Sequence, residues 1–318
     1  MQITSREREI YELLRKEPLI SQEELAARLG ITRSSAAVHI SNLIKKGIIL
    51  GKGYVFSQQS VCTVIGEAAF LTQVFTGNPA IIERKPEGLA VKACQALKNF
   101  DLAIKVFTCL GTDAEGDELL TILADIADIS GVIRPTGSSS RQLVKIKRDG
   151  EIEEYDNRVS SDKPLLPLGK SSFPWLDCNF LWLEPEYLPL ILPIIREADI
   201  DSPRLVVCSN HKIVEQVNVD IVVKGELSDQ ENVPAAGDNL VVVTDGNHYV
   251  KARSSEEEVY INLLPGQHFD IDYDLERFTA GLVYGLSRGN QLRQALRIAI
   301  GNTAFQDNQE PGGGVNSE

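Results

Sequence analysis

Four acids crowd one seven-residue stretch, Asp270-Ile271-Asp272-Tyr273-Asp274-Leu275-Glu276, at the start of a helical pattern over Leu275–Arg288. Carboxylates at this density can take a proton from a hydroxyl, gather around a cation, or complement the positive end of the following helix. The last is the plain structural role and competes with the other two. Like charges a few Å apart repel by a few kcal/mol, so the stretch is poorly suited to docking a polyanion. A second chemistry-bearing group, Thr32-Arg33-Ser34-Ser35, opens a helical pattern near the N-terminus. His39, Lys45 and Lys46 lie further along it, and Lys52 lies beyond. Hydroxyls and a guanidinium at a helix start suit base edges in a major groove, and lysines suit phosphates. Metal chemistry is not indicated. His39, His211, His248 and His268 lie far apart, and Cys62, Cys94, Cys109, Cys178 and Cys208 form no C-x-x-C pair. The cysteines read as buried thiols in a reducing compartment.

The elements around the second group are legible from spacing. Ile10, Leu13 and Leu14 predict a helix from Ser5 to Lys16, stopped by Pro18. Ser21 and Glu24 have the spacing of a capping box for a helix that ends at Gly30. Thr32 caps the next helix, with Ala36, Ile40, Leu43 and Ile44 as its inward stripe and Gly47 as its end. Two short helices across a tight glycine turn predict a helix-turn-helix. The β-prone runs flanking Gly51-Lys52-Gly53 predict a wing with Lys52 at its tip. Such modules also bind proteins, but outward donors without a large apolar patch favour DNA. The run from Leu19 to Phe56 resembles the winged helix-turn-helix of bacterial regulators, in particular the N-terminal segment of a subgroup of PfkB-family carbohydrate kinases.

A chain of 318 residues, 43% hydrophobic and 24% charged, is long enough for two globular domains. No apolar run reaches the ~20 residues of a membrane span. The N-terminus is charged from the start, so the expected location is the cytoplasm, with no membrane partner. Residues 1–60 hold nine Lys/Arg against six Asp/Glu; with the whole chain at −13, the remainder carries −16. A mildly basic head on an acidic body expects only the head to approach nucleic acid. Beyond a polar joint at 57–60, buried-strand runs alternate with helical patterns. The strands are Val61–Gly66, Ala103–Cys109, Phe180–Leu183, Leu205–Cys208, Val219–Lys224 and Leu240–Thr244. The helices are Gly88–Asn99, Gly116–Ile129, Leu188–Ala198 and Leu275–Arg288. This alternation predicts an α/β fold with a largely parallel sheet. Asp149-Gly150 predicts a hairpin between Arg141–Arg148 and Glu151–Tyr155, and the glycine-rich tail 311–318 reads as disordered.

Four segments over about residues 61–305 resemble the ribokinase-like (PfkB) family. They are Val64-Ile65-Gly66 for its opening strand, Gly111 to Gly116 for its G-x-D-x-x-G turn, Thr244-Asp245-Gly246 for its T-x-G turn, and Phe278 to Leu282 for the helix after its catalytic loop. The resemblance implies a ribokinase-like α/β domain (61–310) behind a small α+β winged helix-turn-helix (1–57). It also implies a ligand pocket drawn from Lys92, Asp113, Glu226, Thr244, Gly246 and Asp270. In active members the catalytic loop reads D-T-x-G-A-G-D. Here Tyr273, Asp274 and Leu275 fill the G-A-G positions and Glu276 stands at the base. Ala69, Leu71 and Lys92 replace the polar groups expected to hold a sugar, and N-x-x-E becomes Glu226-Leu227-Ser228-Asp229. The expected protein is therefore a homodimeric regulator of transcription that binds double-stranded DNA through Thr32, Arg33, Ser34, Ser35, His39, Lys45, Lys46 and Lys52. Its degenerate kinase-like domain responds to a sugar, nucleoside or nucleotide, or only dimerises. The alternative is an active sugar or nucleoside kinase that also binds DNA, with Glu276 as base and ATP with Mg²⁺ as its requirements. No metal site is expected otherwise.

Overall fold

The computed structural model describes residues 4–17, 20–46, 49–51, 55–56, 60–76, 79–148, 151–157, 174–197, 203–209, 219–225 and 239–304. The chain divides into two compact units, Met1–Gln59 and Ser60–Glu318.

The first unit holds α1 (Ser5–Lys16), α2 (Gln22–Arg28), α3 (Arg33–Lys45) and an antiparallel pair, β1 (Ile49–Gly51) and β2 (Val55–Phe56). A reciprocal capping box forms at α1, where Thr4 N–H donates to Glu7 at 2.8 Å and Glu7 N–H to the Thr4 hydroxyl at 3.2 Å. At α2 only half of the expected box forms. Glu24 N–H donates to Ser21 at 3.1 Å, but the Glu24 carboxylate turns to Arg28 at 2.8 Å. Gly30 takes the left-handed conformation at φ 63°, which turns the chain tightly into Thr32 and α3. Ile10, Leu14, Leu25, Ala36, Ile40, Leu43 and Ile49 form the core. Ile44, expected in that stripe, is instead 47% exposed. It sits one step of 100° from Leu43, beyond the apolar arc that α1 and α2 cover. Gly47, Lys52 and the wing tip lie outside the described residues.

The second unit begins with β3 (Val61–Ile65), β4 (Ala69–Phe75), β5 (Ile81–Glu87), α4 (Leu89–Leu97), β6 (Ala103–Cys109), α5 (Ala114–Ala124) and β7 (Asp128–Ile133). It continues through β8 (Arg141–Arg148), β9 (Glu151–Asp156), β10 (Phe180–Leu183), α6 (Leu188–Glu197), β11 (Arg204–Ser209) and β12 (Ile221–Gly225). It closes with β13 (Leu240–Thr244), β14 (Tyr249–Arg253), β15 (Glu258–Asn262), α7 (Leu275–Ser287) and α8 (Leu292–Ala304). The main sheet runs β15-β14-β13-β12-β11-β10-β3-β6-β7. It is parallel from β13 to β7, with β14 and β15 added antiparallel at one edge.

Side-chain alternation builds two cores on this sheet. Phe180, Trp182 and Val206 face α4, α5, α7 and α8, whereas Leu181, Leu183 and Val207 face α6. A sheet covered on both faces explains why its strands read as unbroken apolar runs. A second sheet, β5-β4-β8-β9, stands apart, with β4 and β8 parallel. Among the described residues the sequence reading missed β4, β5, β14, β15 and α8. It also ran α5 on into what is strand β7.

Candidate functional site

Helix α3 carries the expected nucleic-acid contacts. Thr32 accepts the Ser35 N–H at 3.1 Å and shares a hydrogen bond with the Ser34 hydroxyl at 3.0 Å, so these residues fix the helix start. Arg33 is exposed and pairs with Glu23 at 3.0 Å, and Lys45 is exposed. Two further expected contacts, Lys46 and His39, are only partly exposed. Lys46 Nζ lies 2.7 Å from Glu7, whose side chain is 3% exposed. The hydrogen bonds from Lys46 and then Thr4 hold the Glu7 carboxyl down at about 2. His39 is half-buried, and its Nδ1 has no hydrogen-bond partner among the described residues. Conversely, Val38 stands 59% exposed on α3, a position that a search for polar contacts passed over.

In the second unit a cavity of about 350 Å³ lies where the end of β5, α4, the start of α7 and α8 meet. Lys92 Nζ sits 3.1 Å from Glu276 and 3.3 Å from Glu87, and Arg277 pairs with Asp274 at 3.0 Å. Lys85 lies over the Tyr273 ring at 4.7 Å. Burial disfavours the Lys92 charge, but Glu276 and Glu87 more than compensate, so its pKa lies above the ordinary lysine value. The other Glu276 oxygen, Oε2, is buried with no hydrogen-bond partner among the described residues. Gln95, Asn99 and Asn302 complete the polar lining.

The loop ahead of α7 closes on itself. Tyr273 and Asp274 N–H both donate to the Asp270 carbonyl, at 3.1 and 2.7 Å, and Asp272 N–H donates to the Asp270 carboxylate at 2.8 Å. Asp274 is the N-cap of α7 but makes no side-chain capping bond. Its oxygens take Arg277 and the Asp270 N–H instead, which corrects the expected capping role. Leu275 is 3% exposed and packs in the core, whereas Tyr273 is 44% exposed. No cluster of three or more His, Cys, Asp or Glu among the described residues could hold a metal ion.

Asp113, Thr244, Gly246 and Asp270 do not line this cavity. Asp113 caps α5 through Gly116 N–H at 2.9 Å and binds Ser140 N–H and hydroxyl at 2.6 Å each. Burial raises its pKa, but those bonds outweigh it and leave the carboxyl low. Thr244 is buried and donates to Tyr249 O at 2.7 Å while accepting Gly246 N–H at 3.0 Å. Gly246, at φ 74°, accepts the Phe269 N–H at 2.9 Å, so the T-x-G turn is tied to the residue before Asp270. Glu226 lies outside the described residues.

One acid escaped the sequence reading altogether. Glu184 Oε1 accepts Glu67 N–H at 3.1 Å and Leu89 N–H at 3.3 Å. Burial, reinforced by the charge of Glu67, pushes the Glu184 carboxyl up to about 7. The Glu67 carboxylate pairs with Arg141 on β8, which also holds Asp156 on β9 at 2.8 Å. Its only sequence signal was an acid directly after the apolar run Phe180–Leu183.

The winged helix-turn-helix DNA-binding family matches residues 3–49. The solved PfkB protein of Polaromonas sp. JS666 superposes with a TM-score of 0.60 at 17% identity, over 77% of this chain and 94% of that one. Ribokinase of Thermotoga maritima superposes with a TM-score of 0.57 at 15% identity, over 76% and 90%. The chain is a winged helix-turn-helix joined to a ribokinase-like domain. Over nearly its whole length it is also similar to the uncharacterized sugar kinase YeiI of Escherichia coli (strain K12), at 26% identity across 344 positions, 95% of this chain and 93% of that protein. In the second unit Gly88 takes φ 90°, and its missing Cβ lets α4 start against the Glu67 carbonyl. Lys92 and Glu276, which the sequence resemblance would place at the family's amide and base, meet at 3.1 Å. No helix among the described residues is long and apolar enough to cross a membrane.

Proposed function

We propose that the protein is a DNA-binding regulator of transcription whose ribokinase-like domain does not transfer phosphoryl groups and serves in dimerisation and ligand response. The observation that carries this reading is the loop ahead of α7. The amides of residues 272, 273 and 274, on the segment that in active members closes on a phosphoryl group, are all spent on Asp270. The Lys92 pair supports it further, because the Glu276 oxygen that meets the ammonium at 3.1 Å is already engaged within the chain. The charges that line the cavity neutralise one another, which favours a neutral, hydroxyl-rich sugar or nucleoside as effector over a nucleotide. The test is a coupled ADP-release assay across sugars and nucleosides, run beside a thermal-shift screen with the same compounds. The expected result is no turnover above background for wild type or Glu276→Gln, with a melting shift for at least one neutral compound. A second reading, an active sugar kinase with Glu276 as base, is favoured by the name of the E. coli relative. Turnover that disappears in Glu276→Gln would establish it.

A further inference from the structure

We infer that Val38 reads the 5-methyl group of a thymine in the major groove and so helps set the sequence preference of the head; this rests on the reading of the head as a DNA-binding module. Ser34, Val38, Ser41 and Lys45 follow one another at helical spacing along α3, and all four are exposed. Ala36, Ile40 and Leu43 occupy the opposite, buried stripe. Val38 is 59% exposed and its neighbours on the outward row are serines, so the isopropyl group projects past them. In a helix its χ1 is nearly fixed, so little rotamer freedom is lost on contact. Helix α3 carries no carboxylate, and Arg33 and Lys45 stand near the two ends of the row, which suits a polyanionic partner. An apolar protein partner fits less well. The other exposed apolar residue of α3, Ile44, lies six positions on, about 120° around the helix, so the two do not form one patch. Within the major groove the apolar group offered by a base pair is the thymine methyl, and a bare isopropyl without a donor matches it.

The test uses the full chain. A binding site is first selected from a random duplex library, and each thymine in it is then replaced singly by deoxyuridine. That change removes the methyl and keeps every hydrogen-bonding group. Wild type should bind about three- to six-fold more weakly at one thymine, roughly the equilibrium worth of one buried methyl-sized group. Val38→Ala should show the same loss on the unmodified site and no further response to uridine there. The substitution is on an exposed helical surface and raises helix propensity, so its melting temperature should not fall below that of wild type. Sequence-specific binding with no uridine-sensitive thymine, or with equal sensitivity in Val38→Ala, overturns the inference alone. Failure of the full chain to bind any duplex overturns it together with the DNA-binding reading.

Discussion

Lys92 is the residue on which the cleft turns. It stands on α4, and it bridges Glu87 and Glu276. Lys92→Asn removes the shared cation from two carboxylates whose side chains are each 18% exposed. Fully buried pairs lose about 3–5 kcal/mol when broken, and partial exposure reduces this to about 2 kcal/mol. Urea denaturation at pH 7 should show that loss, with most of it recovered in Lys92→Asn/Glu276→Gln. Glu184 gives a second prediction with a defined sign. Its carboxyl takes up a proton near pH 7 in the folded chain and near 4.5 when unfolded. The stabilisation is therefore complete below about 4.5 and is lost as pH rises through 7, by about 3 kcal/mol. Melts at pH 5 and pH 8 should show wild type weakening relative to Glu184→Gln at the higher pH. Equal pH dependence in the two proteins would contradict the assignment.

At the level of elements, helix pairs hold both units together. Gly281 and Gly285 on α7 face Ala299 and Ala295 on α8 so closely that a Cβ at either glycine would come within 2.7 Å of the opposing Cα. Overpacking of such a seam costs typically about 1–3 kcal/mol, and here backbone must move, so Gly281→Leu should fall at or above that range in chemical denaturation. In the head, Lys46 ties the end of α3 to α1 through Glu7. Lys46→Met would leave the Glu7 carboxylate buried without its cation, costing about 1–3 kcal/mol in a melt followed by circular dichroism. The pH signature is opposite to that of Glu184: the Glu7 contribution is present above 4.5 and disappears as pH falls toward 2. Helix α8 was legible in principle, since Leu292, Ala295, Leu296, Ala299 and Ile300 recur at helical spacing. Strand β5 was not, because Ile81–Glu87 is polar, largely exposed and contains Pro86, which only an edge strand accepts.

For the whole molecule, charge separates the roles. The body carries −16 and the head +3, so DNA binding should depend on the head and fall steeply with salt. Arg33→Ala should weaken binding by about 1–3 kcal/mol, concentrated at one operator position if the contact is to a base. Lys52→Ala should weaken all sequences alike and flatten the salt slope. A single winged helix covers little DNA, so two copies related by a two-fold axis are expected on a palindromic site. Light scattering at micromolar concentration, with DNA present, should give a dimer; a monomer would contradict this.

The sequence by itself determined the two-part architecture. Capping residues, glycines in left-handed turns and period-two apolar runs are local, and they specify α2, α3 and the central strands without reference to anything distant. It also raised the expectation that the G-A-G and sugar-holding positions of the family it resembles carry other residues here, because that is a matter of residue type. Only the tertiary structure decided what the changed residues do. Lys92 and Glu276 are far apart in the chain and meet because α4 and α7 pack on the same face of the sheet. The same holds for Lys46, which meets Glu7 across the head, and for Asp113, whose carboxylate accepts from Ser140. A side chain's type fixes what it can donate or accept. Which partner it reaches depends on long-range packing, and local spacing carries no record of that.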